Sequence, residues 1–322
     1  MELEKAIEKV LDGHAVLFAG AGFSYGAKNK NKKVPTAKKL KSDLLEDMGM
    51  DKSLEYGLEI VANFYKKKKS ATGLVAKLKE HYNILNVAEH HKKIMSLQWK
   101  RVYTTNYDQV IEMASKENTN SYIRDAVILS DDFEATNKNS ICVHINGYIE
   151  RLNEDKLDNE FKLTDKSYSC DTLEGNPWFE FMVNDFEAAS AIVIVGYSMQ
   201  FDIDIKRLLS SPEISRKVIF IDAPGIDEIS KELLESYGSC YPIGIEEFSK
   251  KIELQKKNYV PSLTFSYKSF RYTFHDTLTS ATPTYEEIVQ FYTEGKECEK
   301  LFAKNSVGDY KYLLNRNAMN FF

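Results

Sequence analysis

The sequence predicts an α/β fold, a Rossmann-like doubly wound parallel sheet with a helical insertion that forms a smaller subdomain. Three observations predict it. AVLFA, AIVIV and, after a lysine, VIFI are short runs, apolar throughout, as strands covered on both faces must be. Helical patterns alternate with these runs, as crossover connections between parallel strands require. A glycine-rich turn, Gly20-Ala21-Gly22, follows the first run directly.

The elements follow in order. Leu3, Ile7, Val10 and Leu11 share one face of an opening helix that Gly13 stops. The strand in HAVLFAGAGFS comes next, then a lysine- and asparagine-rich loop up to Pro35. Thr36 is placed to cap a helix with Leu40, Leu44, Leu45 and Met48 on its apolar face and Gly49 at its end. Three further helices are expected between Ser53 and about Gln98, with Leu54, Leu58, Val61 and Phe64 at amphipathic spacing. No strand pattern interrupts them, so residues 36–98 read as an insertion between two strands.

Strands return in RVYTT, AVILS and ICVHI. A helix from Trp178 to Ala189, the strand AIVIVGYS, a helix from Ile203 to Leu209, the strand KVIFIDA and a helix from Asp227 to Ser236 complete the alternation. Beyond about Lys257 the texture turns aromatic, in YVPSLTFSYKSFRYTF. The expected division is a catalytic domain over residues 1–255 and an appended segment over 256–322, regulatory or the start of something larger.

Bulk properties narrow the function. A net charge of −5 argues against a dedicated nucleic-acid binder. The opening MELEKAIEKVLDG has no apolar core of a signal peptide, and no run has bilayer-spanning length. A cytoplasmic protein without membrane contact is therefore expected. Cys142, Cys170, Cys240 and Cys298 lie far apart with no C-x-x-C pair, so neither a metal site nor a disulfide framework is expected.

Four stretches could carry chemistry. FAGAGFS, Phe18 to Ser24, can bring backbone amides to a pyrophosphate or can be a plain tight turn. In YTTNYD, Asn106 and Asp108 stand past the carboxyl end of a strand, where open α/β sheets bind ligands, although either could simply cap a helix. Gly196 and Ser198 end a buried strand and could meet a ribose or phosphate. Asp222 ends the last of the long core strands and could accept from ribose hydroxyls, or could shape the turn before Pro224.

The order of these motifs is more specific than any one of them. Gly-Ala-Gly-x-Ser, Thr-Thr-Asn-Tyr-Asp, a strand into x-Gly, LTDKSY, Gly-Tyr-Ser and a strand ending in Asp together resemble the sirtuin superfamily. More narrowly, they are similar to the bacterial sirtuin-like domains of anti-phage defence systems, over about His14 to Ile252. The resemblance implies a cofactor cleft between the sheet and the helical insertion, and an NAD hydrolase that depletes the infected cell of NAD. It implies that Gly20, Ala21, Gly22 and Ser24 hold the pyrophosphate and that Thr105, Gly196, Ser198 and Asp222 line the adenosine side. Asn106 would position the nicotinamide ribose and the attacking water, with Asp108 and Asn146 also in the cleft. It further implies NAD as substrate with no metal, a homo-oligomer, and a second defence subunit or phage trigger protein as partner.

The chain departs from the family at one position. The histidine expected directly before the glycine is Asn146, and His144 stands two residues earlier in CVHINGYI. Residues two apart on a strand share a face but lie about 6.6 Å apart along it. His144 is therefore expected to face the same cleft and to serve as the catalytic partner of Asn106, a bulge or local shift being needed to reach the usual place. A strand histidine bonded within the core is the other reading. Transfer of ADP-ribose to a protein, NAD-dependent deacylation, and nucleotide sensing without catalysis are the rival functions; the absence of paired cysteines counts against deacylation.

Overall fold

The computed structural model describes residues 1–259, apart from 32, 118–123, 137–139, 164–172, 174 and 200–202. The expected segment over 256–322 lies outside them beyond residue 259, as do Cys170, Cys298 and nearly all of LTDKSY. Met1–Lys257 forms one compact unit.

Seven strands form one sheet: β1 Ala15–Ala19, β2 Arg101–Thr104, β3 Asp125–Ile128, β4 Ile141–His144, β5 Ala191–Val195, β6 Val218–Ile221 and β7 Ser239–Tyr241. Their order across the sheet is β3-β4-β2-β1-β5-β6-β7, and every pairing is parallel. The fold is thus a Rossmann-like α/β sheet. β1 pairs with β2 on one side and β5 on the other, so the chain winds outward from β1 and later returns beside it. That reversal is the switch point at whose carboxyl edge such sheets bind ligands.

The apolar runs form the sheet because both of its faces are covered. Every residue of β1 and β5 is buried. On one face Val16, Phe18, Tyr103, Val143 and Ile194 pack with Trp178, Met182 and Phe186 of helix Pro177–Ala188. On the other, helix α1, Leu3–Leu11, lies on β1 and β5 and buries Leu3, Ile7, Val10 and Leu11. Each such side chain withdrawn from water stabilises the fold by about 1.5–3 kcal/mol.

The helical insertion comprises α2 Ala37–Asp47, α3 Leu58–Lys69, α4 Ala71–Tyr82 and α5 Glu89–Met95. Thr36 caps α2 as its sequence predicts, its hydroxyl accepting from the Lys39 amide at 3.3 Å. The expected face of α3 is corrected: the helix starts only at Leu58, and it buries Val61, Ala62 and Tyr65 while Phe64 is exposed. The insertion has its own core, built from Leu40, Leu44, Leu74 and Leu78 together with Ile149, Leu157, Phe161 and Leu163 from a second chain segment. That second segment immediately follows the turn at Asn146 and Gly147, so the small subdomain is tied to the end of β4.

Candidate active site

The carboxyl ends of β1 and β5 meet through backbone alone. Gly20 donates to the Val195 carbonyl and Gly22 to the Gly196 carbonyl, both at 2.9 Å. A Cβ on Gly20 would lie 2.5 Å from the Gly196 oxygen, and one on Gly22 would lie 2.6 Å from the Gly196 Cα. Gly196 also holds φ +62°, a conformation costly to any residue with a Cβ. Between them the chain makes a short 3-10 turn, Ala21–Ser24, leaving Ala21 and Gly22 open to solvent.

Helix α5 braces this turn from behind. His91 Nδ1 accepts from the Ala88 amide at 3.0 Å, so its Nε2 carries the proton donated to the Phe23 carbonyl at 2.7 Å. Burial, aided by His90, pushes the His91 imidazole down to about 3 and keeps it neutral, as that tautomer requires. His90 Nε2 meets the Tyr25 carbonyl at 2.9 Å.

Asn106 stands two residues past β2 and is held on several sides. Its amide donates to Thr104 Oγ1 at 3.0 Å, and Thr104 in turn donates to the Ala19 carbonyl at 2.9 Å. Its Nδ2 donates to the Gly20 carbonyl at 2.8 Å and to Ser24 Oγ at 3.1 Å. The glycine turn and Asn106 are therefore one bonded unit, with Asn106 Oδ1 left without a partner among the described residues. Ser24 passes its own proton to Asp108 Oδ2 at 2.6 Å, and Asp108 Oδ1 accepts from the Val110 amide at the start of α6, Val110–Lys116. Burial pushes the Asp108 carboxyl up to about 6.

His144 does not open onto this surface. Its side chain is fully buried, with Nδ1 2.8 Å from the Asn106 carbonyl and Nε2 2.9 Å from Glu112 Oε1 on α6. The expectation that His144 faces the cleft is thereby corrected. It ends β4 in regular parallel register with Thr104 and Ile128, and its ring points under the Asn106 peptide. Asn146 follows in the next turn, buried, its Nδ2 on the Thr105 carbonyl at 3.3 Å and its Oδ1 with no partner among the described residues. The Lys162 amide donates to the Asn146 carbonyl at 3.0 Å, bringing the second segment of the small subdomain over this turn. Gly147, at φ +99°, passes beneath it where a Cβ would lie 2.5 Å from the Glu160 oxygen.

Of the remaining predicted residues, Thr105 adjoins Asn106 past β2, while Ser198 and Asp222 lie past β5 and β6 on the other side of the switch point. Thr105 donates to the Ala19 carbonyl at 3.1 Å and is half-buried. Ser198 is exposed past β5. Asp222, half-buried directly after β6, has Oδ1 on the Ala223 amide at 2.6 Å, and burial raises its carboxyl. No described hydrogen bond joins Ser198 or Asp222 to the Asn106 group. Glu112 escaped the sequence reading. Its one signal was an acid in the otherwise small and apolar run Val110–Ser115, four residues after Asp108 and so on the same helical face.

This arrangement joins a glycine turn at a sheet switch point to two neutral amides, those of Asn106 and Asn146. Residues 100–241, which hold both asparagines, Gly196 and Asp222, match the family model of the SIR2-like domain.

Among curated proteins, 116 residues are 31% identical to the NAD(+) hydrolase ThsA of Enterococcus faecium. That match covers 35% of this chain and 23% of the relative, so the chain spans under a quarter of that protein. Among solved structures, a Sir2 homolog–NAD complex is similar at TM-score 0.47 and 15% identity, covering 80% of this chain and 93% of that one. A structure of a Sir2 enzyme is similar at TM-score 0.43 and 16% identity, covering 80% and 98%.

Proposed function

We propose that the chain is an NAD glycohydrolase, which cleaves the nicotinamide–ribose bond to give nicotinamide and ADP-ribose, and that it serves anti-phage defence by depleting NAD. One observation carries the reading: within the stretch that matches the SIR2-like domain model, Asn106 is bonded beneath the glycine turn by both protons of its side-chain amide, which leaves one acceptor oxygen. Departure of nicotinamide leaves a cationic ribose, so the site must hold the sugar, offer neutral or negative groups to the cation and admit water to one face. In this reading the exposed edge of the glycine turn, at Ala21 and Gly22, gives the pyrophosphate a close approach free of bulky side chains, and Asn106 Oδ1 accepts from the nicotinamide ribose or the attacking water. Asn146 Oδ1 is the second acceptor, in the place of the family histidine, and Gly196, Ser198 and Asp222 line the adenosine side.

Incubation of the purified full chain with NAD is expected to release nicotinamide and ADP-ribose in equal amounts without an added acceptor, and Asn106→Ala is expected to abolish release. Wild-type rates in that variant would sink the site. The buried place of His144 favours a second reading, NAD binding without turnover, since this imidazole is held under the Asn106 peptide and not beside its side-chain amide. Calorimetric binding of NAD with no product over hours would select it.

A further inference from the structure

Beneath the cleft, three side chains with metal-ligating chemistry converge from two elements. Glu112 of α6 and Cys142 and His144 of β4 are all buried, and their ligand atoms lie within 4.8 Å of one another. Cys142 and His144 are two apart on one strand and so point the same way, toward the single acid of α6.

The proton count at this cluster is informative. A carbonyl oxygen only accepts, so the bond between His144 Nδ1 and the Asn106 carbonyl places a proton on Nδ1. A neutral His144 therefore turns the lone pair of Nε2 toward Glu112 Oε1, another acceptor, 2.9 Å away. Something positive must lie between or beside them. A single proton satisfies that pair but leaves Glu112 Oε2, which is buried with no nitrogen or oxygen donor among the described residues and only the Cys142 thiol beside the carboxylate. A thiol is a weak donor, and a poorly served carboxylate oxygen in the interior is costly.

We propose that Glu112, Cys142 and His144 form a transition-metal site, with zinc as the ion. Nε2, Sγ and the two carboxylate oxygens supply four donor atoms, and nitrogen, thiolate and carboxylate is a set that zinc accepts. A His ligand whose other ring nitrogen donates to a backbone carbonyl is the usual outer-shell arrangement at such sites, and here that carbonyl belongs to Asn106. The ion ties β4 and α6 to the peptide that carries the cleft asparagine, and it needs no C-x-x-C pair.

The test is independent of NAD turnover. The full chain, gel-filtered in metal-free buffer after exposure to zinc chloride, is expected to retain roughly one zinc per chain by plasma mass spectrometry. Cys142→Ser and Glu112→Gln are expected to lose most of it, while Cys240→Ser, at a half-buried thiol on β7, keeps it. Cobalt chloride in place of zinc is expected to give visible ligand-field bands and a near-ultraviolet thiolate-to-metal band, the latter missing in Cys142→Ser. Circular dichroism checks that each variant is folded. Folded wild-type protein that retains neither zinc nor cobalt would overturn the proposal and leave a proton as the group between His144 and Glu112. Equal retention by Cys142→Ser and wild type would overturn the assignment of the thiol.

Discussion

His144 reaches Asn106 through the main chain: Nδ1 lies 2.8 Å from the Asn106 carbonyl, while the Asn106 side chain points the other way, to Gly20 and Ser24. The histidine thus sits on the far side of the peptide from the surface where substrate is proposed to bind. Effects of changing it travel through the position of Asn106.

Replacement of His144 is accordingly a stability experiment first. His144→Ala strands the Glu112 carboxylate in the interior and leaves the Asn106 carbonyl unpaired. Removal of one member of a buried ionic pair costs about 3–5 kcal/mol, which lowers the melting temperature by roughly 6–20 °C in a domain of this size. Asn146→Ala removes one weak bond, to the Thr105 carbonyl, and is expected to melt within a few degrees of wild type. If Asn146 is the second acceptor, that variant loses about tenfold or more in NAD hydrolysis. Melting curves and product release on the two variants separate the roles, and an unchanged melting temperature for His144→Ala would contradict the burial argument.

Asn106→Asp keeps the size of the side chain but places an acceptor against the Gly20 carbonyl, now 2.8 Å from an amide proton donor. The pair becomes repulsive, and the glycine turn is expected to loosen. Product release should fall at least as far as in Asn106→Ala, with a greater loss of melting temperature. Equal melting of the two variants would mean that the bond to Gly20 does not hold the turn.

Gly196→Ala tests the contact between strand ends. The left-handed backbone costs about 1–2 kcal/mol with a Cβ, and the added methyl meets the backbone of Gly22. The expected outcome is a measurable loss of stability together with weaker NAD binding by calorimetry. Gly49→Ala shares the left-handed conformation, at φ +70°, but has no neighbour for its Cβ, so it should lose stability alone.

A pH dependence follows from Asp108, whose carboxyl burial pushes up from 3.8 to about 6. An acid raised by folding stabilises the folded state while protonated. That contribution is complete below about pH 4 and is lost as the pH rises to about 6, an effect of up to about 3 kcal/mol. Asp108→Asn removes the dependence. In urea titrations the variant should gain on wild type by about 2–3 kcal/mol between pH 4 and pH 7, and a difference independent of pH would show that the carboxyl does not titrate in this range.

Much of this was legible from the chain because the relevant forces are local. β1 and β5 read as strands because every residue in them is buried, and Thr36 read as a cap because its partner is three residues away. The glycine turn and Asn106 could be found because a close backbone approach at a strand end restricts residue type. β7 was not legible: its three residues are only half-buried and show no apolar run. The helix Gly244–Asn258 also escaped notice, its charged and polar sequence giving little contrast between faces. The face of α3 was misjudged because Phe64 looks like core at helical spacing, and only the partner helices decide which stripe is covered. The place of His144 depends on Glu112, 32 residues away, and no spacing rule on one strand can supply that.

The meeting of Gly20, Gly22 and Gly196 has a consequence for how such a domain tolerates mutational drift. The surface at that edge is made of peptide groups, so it is insulated from substitutions among the strand side chains behind it. Phe18 or Ile194 could be exchanged for other apolar residues, and the two strand ends would keep their spacing as long as three positions remain glycine. The shape of that edge is written into chain geometry, and the surrounding vocabulary of side chains is free to change.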